Sequence, residues 1–173
     1  MRNKKLNFAL IGCGRIGNRH AEHIVRNGKL IAVCDTDKHK ADELSKLYKV
    51  KAYYSLSDLL DKEDKVDIVS ICTPNGLHAS QTIQAFKSGK HVLCEKPMGI
   101  NVHECGEMIH NSEKANKRLF IVKQNRFNPP VVAIKKLLNE GKLGKLFTVQ
   151  LNCFWNRNPE YYNTSDWKGT RRL

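Results

Sequence analysis

The chain has 173 residues, 40% hydrophobic and 27% charged, with 30 Lys and Arg against 17 Asp and Glu for a net charge of +13. That length gives one complete domain and part of another, and no apolar stretch approaches the roughly twenty residues that carry a helix across a bilayer. The lysines are scattered and no arginine block with interleaved aromatics occurs, so the charge reads as a lysine-rich surface that draws in anionic small molecules rather than nucleic acid.

The basic start and short apolar run of "MRNKKLNFALIGCG" lead straight into a glycine motif with no small-residue cleavage site, so a signal peptide is not expected. Residues 6–12 read as a buried strand. "GRIGNRHAEHIVRNG" reads as a helix with Ile16, His20, Ile24 and Val25 near one face, ending at Gly28. "LIAVCD" at 30–35 is a second strand, followed by a helix in "DKHKADELSKLY" with Ala41, Leu44 and Leu47 inward. "AYY" is a short third strand, and "SLSDLLDK" a small helix capped by Ser55 or Ser57. Then come a strand at 67–74, a helix in "LHASQTIQAFKSG", a strand in "HVLCEKP", a helix capped by Asn101 and a strand in "RLFIVKQN".

Nearly continuous apolar strands alternating with helices predict a doubly wound α/β domain with a parallel Rossmann-type sheet over residues 1–124. Residues 125–173 read as the truncated start of an α+β second domain. "PPVVAIKKLLNEG" is its helix, with prolines at the start and glycine after the end. "KLFTVQLNCFWN" alternates like a half-exposed strand. The six cysteines form no C-x-x-C pair and mostly sit in apolar runs, so they are expected as buried free thiols in a reducing cytoplasm, not as disulfides or metal ligands.

"GCGRIG" fits G-x-G-x-x-G between a strand and a helix. Gly12 permits the turn, Gly14 the approach of a pyrophosphate and Gly17 close helix–strand packing, with Arg15 and Ile16 at the helix start facing the anion. Asp35 ends the second strand 21 residues beyond Gly14, where a carboxylate can bind ribose hydroxyls. Asp35 and Asp37 would repel a 2′-phosphate and no arginine follows, so NAD is favoured over NADP, with Lys38 the one feature on the other side. Thr73, Pro74 and Asn75 end the fourth strand at the ligand-binding edge, and His78 is either a packing residue or a direct contact. Glu95 and Lys96 leave the fifth strand at that same edge. Pro97 biases Lys96 toward extended backbone, and a cis bond there would aim it further. Partial desolvation would make Lys96 a usable acid or base, whereas Glu95 pulls the other way.

In this order, the glycine motif, "TPNGLH", "CEKP" and "QNRFNP" resemble the Gfo/Idh/MocA family of oxidoreductases. The resemblance implies that Glu95 binds the nicotinamide ribose, that Lys96 contacts the reacting hydroxyl of a sugar, and that the following proline is often cis. It also implies that Gln124, Asn125, Arg126 and Phe127 position cofactor and substrate, with Trp167 and Lys168 of "DWKGT" nearby. A later glycine-rich stretch with an aspartate and a histidine, which the family uses in catalysis, does not occur before Leu173. "FWNRNPEYYNTSDWKGT" looks most like members acting on nucleotide-linked sugar acids, the UDP-N-acetylglucosaminuronate 3-dehydrogenase type, where Arg157, Tyr161 and Tyr162 would meet an anionic sugar nucleotide. The full-length protein is then expected as a cytoplasmic, NAD-dependent sugar dehydrogenase that forms homo-oligomers. The alternatives are a non-catalytic NAD(P)-binding or sensor protein, and a dehydrogenase of inositol or another free polyol.

Overall fold

Six strands, β1 (Asn7–Ile11), β2 (Lys29–Cys34), β3 (Lys51–Tyr53), β4 (Ile68–Ile71), β5 (His91–Cys94) and β6 (Leu119–Ile121), pair in parallel in the order β3-β2-β1-β4-β5-β6. This computed structural model describes residues 5–163. The described chain divides into two compact units between Val122 and Lys123.

The helices of the first unit are α1 (Arg15–Asn27), α2 (Lys38–Tyr48), α3 (Leu56–Lys62), α4 (His78–Lys87) and α5 (Val102–Lys114). Side chains alternate across the strands, apart from the register shift in β2 opposite Phe8 and Ala9, so the sheet feeds two cores. Leu10, Leu30 and Val33 pack with Ala21 and Ile24 of α1 and with Ala41 and Leu44 of α2. Ala9, Ile11, Val69, Ile71, Val92 and Cys94 pack with Leu59, Phe86 and Met108 from α3, α4 and α5. Both sheet faces are covered, which explains why β4 is fully buried and apolar but for Ser70. Each fully buried Leu, Ile, Phe or Met contributes roughly 1.5–3 kcal/mol relative to exposure.

Caps set the helix starts. The Asp37 carboxylate accepts from the His39 and Lys40 amides, the Ser55 hydroxyl from Asp58, and the Asn101 carbonyl from Glu104. Lys90 is buried, and its ammonium donates to the main-chain carbonyls of Asp64 at 2.9 Å and Glu63 at 3.3 Å, just beyond the end of α3. Those two acceptors offset part of the ammonium's lost hydration.

The structure corrects several details. In α1 the buried residues are Gly17, Ala21 and Ile24, while Ile16 and Val25 are exposed. Leu47, expected inward, is 67% exposed. The small residues win because α1 lies so close to the sheet that a Cβ at Gly17 would collide with the Gly12 carbonyl oxygen.

The second unit contains a 3-10 turn (Gln124–Phe127), α6 (Pro129–Asn139) and α7 (Pro159–Asn163). Pro129 and Pro130 open α6, and Gly141 beyond it takes φ +68°. Residues 123–160 are all exposed. The strand expected in 145–156 is not formed: the alternation is present, but no described segment pairs with it. An isolated strand leaves its amides and carbonyls to water and gains nothing from extension.

The crowding at Gly17 has a measurable consequence. Gly17→Ala is expected to destabilise the chain by about 1–3 kcal/mol. Gly106→Ala, on the open face of α5 where a Cβ meets nothing, is expected to stabilise it by about 0.5–1 kcal/mol. Urea denaturation of the two variants measures the difference, and coincident midpoints would contradict this packing.

Candidate functional site

The strand ends are in register. Ile11 pairs with both Cys34 and Ile71, and Ile71 pairs with Cys94. The next residues, Gly12, Asp35, Cys72 and Glu95, therefore stand side by side along the carboxyl edge of the sheet. Between β1 and β4 the connections turn to opposite faces, the place where open α/β sheets take their ligands.

Gly12 makes the turn with φ +89°, its amide donating to the Cys34 carbonyl at 2.8 Å. A Cβ there would lie 2.6 Å from the Cys72 carbonyl oxygen. Gly14 begins α1 in extended conformation, and no side chain caps that helix start. A Cβ on Gly14 would meet no atom within 4 Å. The first amides of α1, at Arg15 and Ile16, thus open onto free space. An anion with several acceptor oxygens, such as a pyrophosphate, fits this cradle.

Asp35 braces the same turn. Its Oδ2 accepts from the Cys13 amide at 2.8 Å and its Oδ1 from the Asp37 amide at 2.9 Å. Each oxygen keeps a further lone pair for a hydroxyl donor. Lys38, the residue that favoured a 2′-phosphate, has its ammonium 5.4 Å from the Tyr54 ring centroid. Lys40 pairs with Asp37 at 2.9 Å and holds that carboxyl below its ordinary range.

Beyond β4, the Thr73 hydroxyl donates to Gln81 Oε1 at 2.6 Å, and Pro74 leads into a 3-10 turn over Asn75–Leu77. His78 is 1% exposed, with Nδ1 2.6 Å from the Pro97 carbonyl and Nε2 2.9 Å from the Thr73 carbonyl. The ring thus stands between the loop after β4 and the loop after β5, with a main-chain carbonyl at each nitrogen.

Glu95 is buried at 8% exposure, and its amide donates to the Ile71 carbonyl at 3.0 Å. Its Oε1 lies 3.1 Å from His20 Nε2, and its Oε2 accepts from the Lys96 amide at 3.0 Å. His20 Nδ1 lies 2.8 Å from the Ser70 hydroxyl. Burial pushes the Glu95 carboxyl upward. The His20 hydrogen bond, the Lys96 amide and the charges of both groups outweigh it, leaving the carboxyl below its ordinary range. The Lys96–Pro97 peptide is cis. Among the described residues the Lys96 amine has no hydrogen bond or ion pair, unlike the ordinary surface pair that sequence allows.

The thiols at this edge serve packing. Burial pushes Cys13 and Cys34 up to about 12, with neighbouring Asp35 adding to the rise, and it raises Cys72 as well. Such thiols stay protonated and behave as small hydrophobes.

Of the remaining expected site residues, Gln124, Asn125, Arg126 and Phe127 form the exposed 3-10 turn that opens the second unit. Trp167 and Lys168 lie outside the described residues. In the second unit Arg157 stacks against the rings of Trp155 at 4.5 Å and Tyr161 at 4.3 Å, and Tyr161 meets Tyr162 edge-on. Sequence reasoning missed His20 and Ser70 as site-building residues. The signal for Ser70 was present, since it is the one polar residue inside "IVSI" and a buried hydroxyl needs a partner.

Comparison with known proteins identifies the family to which this fold belongs. The family described as an oxidoreductase family with an NAD-binding Rossmann fold, Gfo/Idh/MocA, matches residues 6–123. Myo-inositol 2-dehydrogenase of Thermotoga maritima is 32% identical over 157 residues, covering 89% of this chain and 46% of the relative. The WlbA dehydrogenase of Chromobacterium violaceum, solved with NADH and UDP-GlcNAcA, superposes with a TM-score of 0.93 at 38% identity, over 98% of this chain and 50% of that one. Its Bordetella pertussis counterpart, with the same two ligands, gives 0.92 at 35% identity, over 96% and 51%. The chain spans about half the length of the relatives it matches. Its register-aligned strand ends, open glycine turn and sequence likeness together make this chain a member of the Gfo/Idh/MocA family of NAD-binding Rossmann-fold oxidoreductases.

Proposed function

We propose that the whole protein moves a hydride between a hydroxyl-bearing sugar carbon and NAD, with Lys96 handling the hydroxyl proton. The observation that carries this reading is the shared edge: β5 delivers Glu95 and Lys96 in the same row as the open turn at Gly12–Gly17. In this reading Gly12, Gly14, Arg15, Ile16 and Gly17 hold the pyrophosphate. Asp35 serves a ribose, Thr73, Pro74 and Asn75 line the crevice, and His78 secures its loops. When bound, NAD supplies the hydride acceptor. In the oxidation direction the substrate C–H bond gives up its electron pair, and Lys96 in its amine form takes the hydroxyl proton. The C–O bond becomes a carbonyl, and the electrons and proton balance. Positioning and proton transfer supply the rate gain.

For the substrate we favour a nucleotide-linked sugar acid. The two WlbA structures with UDP-GlcNAcA support this, as do the net charge of +13 and the Arg157 guanidinium held by aromatic rings. Asn125, Arg126, Trp167 and Lys168 belong to the substrate side, and Gln124 to the cofactor side. No helix among the described residues is long and apolar enough to cross a membrane. Four buried free thiols suit a reducing cytoplasm, and we expect a homo-oligomer.

Two outcomes test this. Gly14→Ala adds a Cβ that meets no protein atom, so thermal stability is expected to hold while NADH affinity falls about tenfold through lost charge-assisted hydrogen bonds. Fluorescence titration measures this, and unchanged affinity would remove the pyrophosphate from the turn. In the complete reading frame, Lys96→Ala is expected to lower kcat for UDP-GlcNAcA oxidation by about a hundredfold or more while NADH still binds. Wild-type turnover in that variant would take Lys96 out of the chemistry, and NADH binding with no turnover by the unmutated protein would indicate a sensor.

A further inference from the structure

Lys96 is the acid–base candidate, yet its backbone leaves β5 in an irregular loop, so something must fix its origin. The only side chain that bonds the Lys96 amide among the described residues is the one before it, Glu95, through Oε2 at 3.0 Å. A carboxylate free to rotate would not hold that amide. Its other oxygen is bound 3.1 Å from His20 Nε2, on a helix 75 residues away in sequence. His20 is in turn seated by Ser70, with 2.8 Å from Nδ1 to the hydroxyl, and Ser70 is completely buried on β4.

Counting donors fixes the direction of the bonds to Glu95. An ionised carboxylate only accepts, so His20 Nε2 donates to Glu95. At Nδ1 a neutral ring accepts from the Ser70 hydroxyl and a charged ring donates to it, so the contact holds in both forms. The series Ser70 to His20 to Glu95, closed by the Lys96 amide, leaves no polar atom of these bonds in conflict. It joins α1, β4 and β5, the three elements around the crevice. His78 grips the far side of Lys96 through the Pro97 carbonyl.

We infer that His20 is a positioning residue for the Lys96 chemistry, acting through Glu95: it locks the carboxylate that anchors the Lys96 main chain, while Ser70 sets the ring that does so. The inference rests on the proposed role of Lys96 for its functional consequence, but its structural part is independent of that role. It assigns Glu95 a task inside the protein, beside any contact its remaining lone pairs make with a ribose.

Amide hydrogen exchange gives a readout separate from turnover. In the chain itself, His20→Leu is expected to speed exchange at the Lys96 amide by about tenfold or more, the factor that follows from losing one hydrogen bond to a charged group. His20→Gln, whose amide nitrogen reaches the place of Nε2, is expected to stay within about threefold of wild type. His20→Asn reaches only the Nδ1 side and is expected to behave like His20→Leu, so this Gln and Asn pair decides the matter even where the leucine variant does not fold.

In the complete reading frame with NAD and UDP-GlcNAcA, His20→Leu is expected to lower kcat about tenfold with KM little changed. In a Glu95→Gln background the same substitution is expected to cost less than about threefold, because the effect passes through the carboxylate. Unchanged Lys96 exchange in His20→Asn, or additive losses in the double variant, would overturn the inference. A fully active Lys96→Ala would instead sink the functional reading, and the exchange result would still stand or fall alone.

Discussion

Parallel pairing in register across β2, β1, β4 and β5 decides where chemistry is placed in this protein. Because Cys34, Ile11, Ile71 and Cys94 end their strands as neighbours, the residues that follow fall in one row. Their short hydrogen bonds lock that row: the Gly12 amide to the Cys34 carbonyl, the Cys72 amide to Ile11 and the Glu95 amide to Ile71. The open glycine turn, the Asp35 carboxylate and Lys96, to which the proposal assigns pyrophosphate, ribose and proton, are thereby brought into one row from residues scattered over more than 80 positions. The apolar cores on both sheet faces supply the rigidity on which that row stands.

Glu95 shows what this arrangement costs and how the cost is met. A carboxylate at 8% exposure loses most of its hydration. The His20 ring and the Lys96 amide replace that hydration with fixed donors, and the group stays ionised. Asp35 follows the same logic at the other end of the row, satisfied by the Cys13 and Asp37 amides. Both carboxylates hold a loop, so each is preorganised by the turn it braces. His78 extends the pattern with its ring between two main-chain carbonyls of adjacent loops.

Much of this was legible in the sequence, for physical reasons. Strands buried on both faces are nearly continuously apolar, so β1, β2, β4 and β5 stand out, and the glycine pattern marks the tight strand–turn–helix at Gly12–Gly17. The inward face of α1 was misread because the reading weighted large apolar residues. Close contact at Gly17 selects small ones, and Ile16 and Val25 face outward. Leu47 likewise stands at helical spacing yet remains largely exposed. The strand expected in 145–156 needs a partner, and pairing is a property of the fold that local alternation cannot supply. His20 and Ser70 were missed because their meaning is tertiary: each looks unremarkable alone and acquires a role only when α1, β4 and β5 converge.

The most direct test of the row of strand ends is a titration of the isotope-labelled chain with NADH, followed by amide chemical shifts. The account requires the largest changes at Gly12, Gly14, Arg15, Ile16, Asp35, Thr73, Glu95 and Lys96, together in one saturable event. Saturable changes centred elsewhere on the first unit, with the Glu95 and Lys96 amides unmoved, would contradict it.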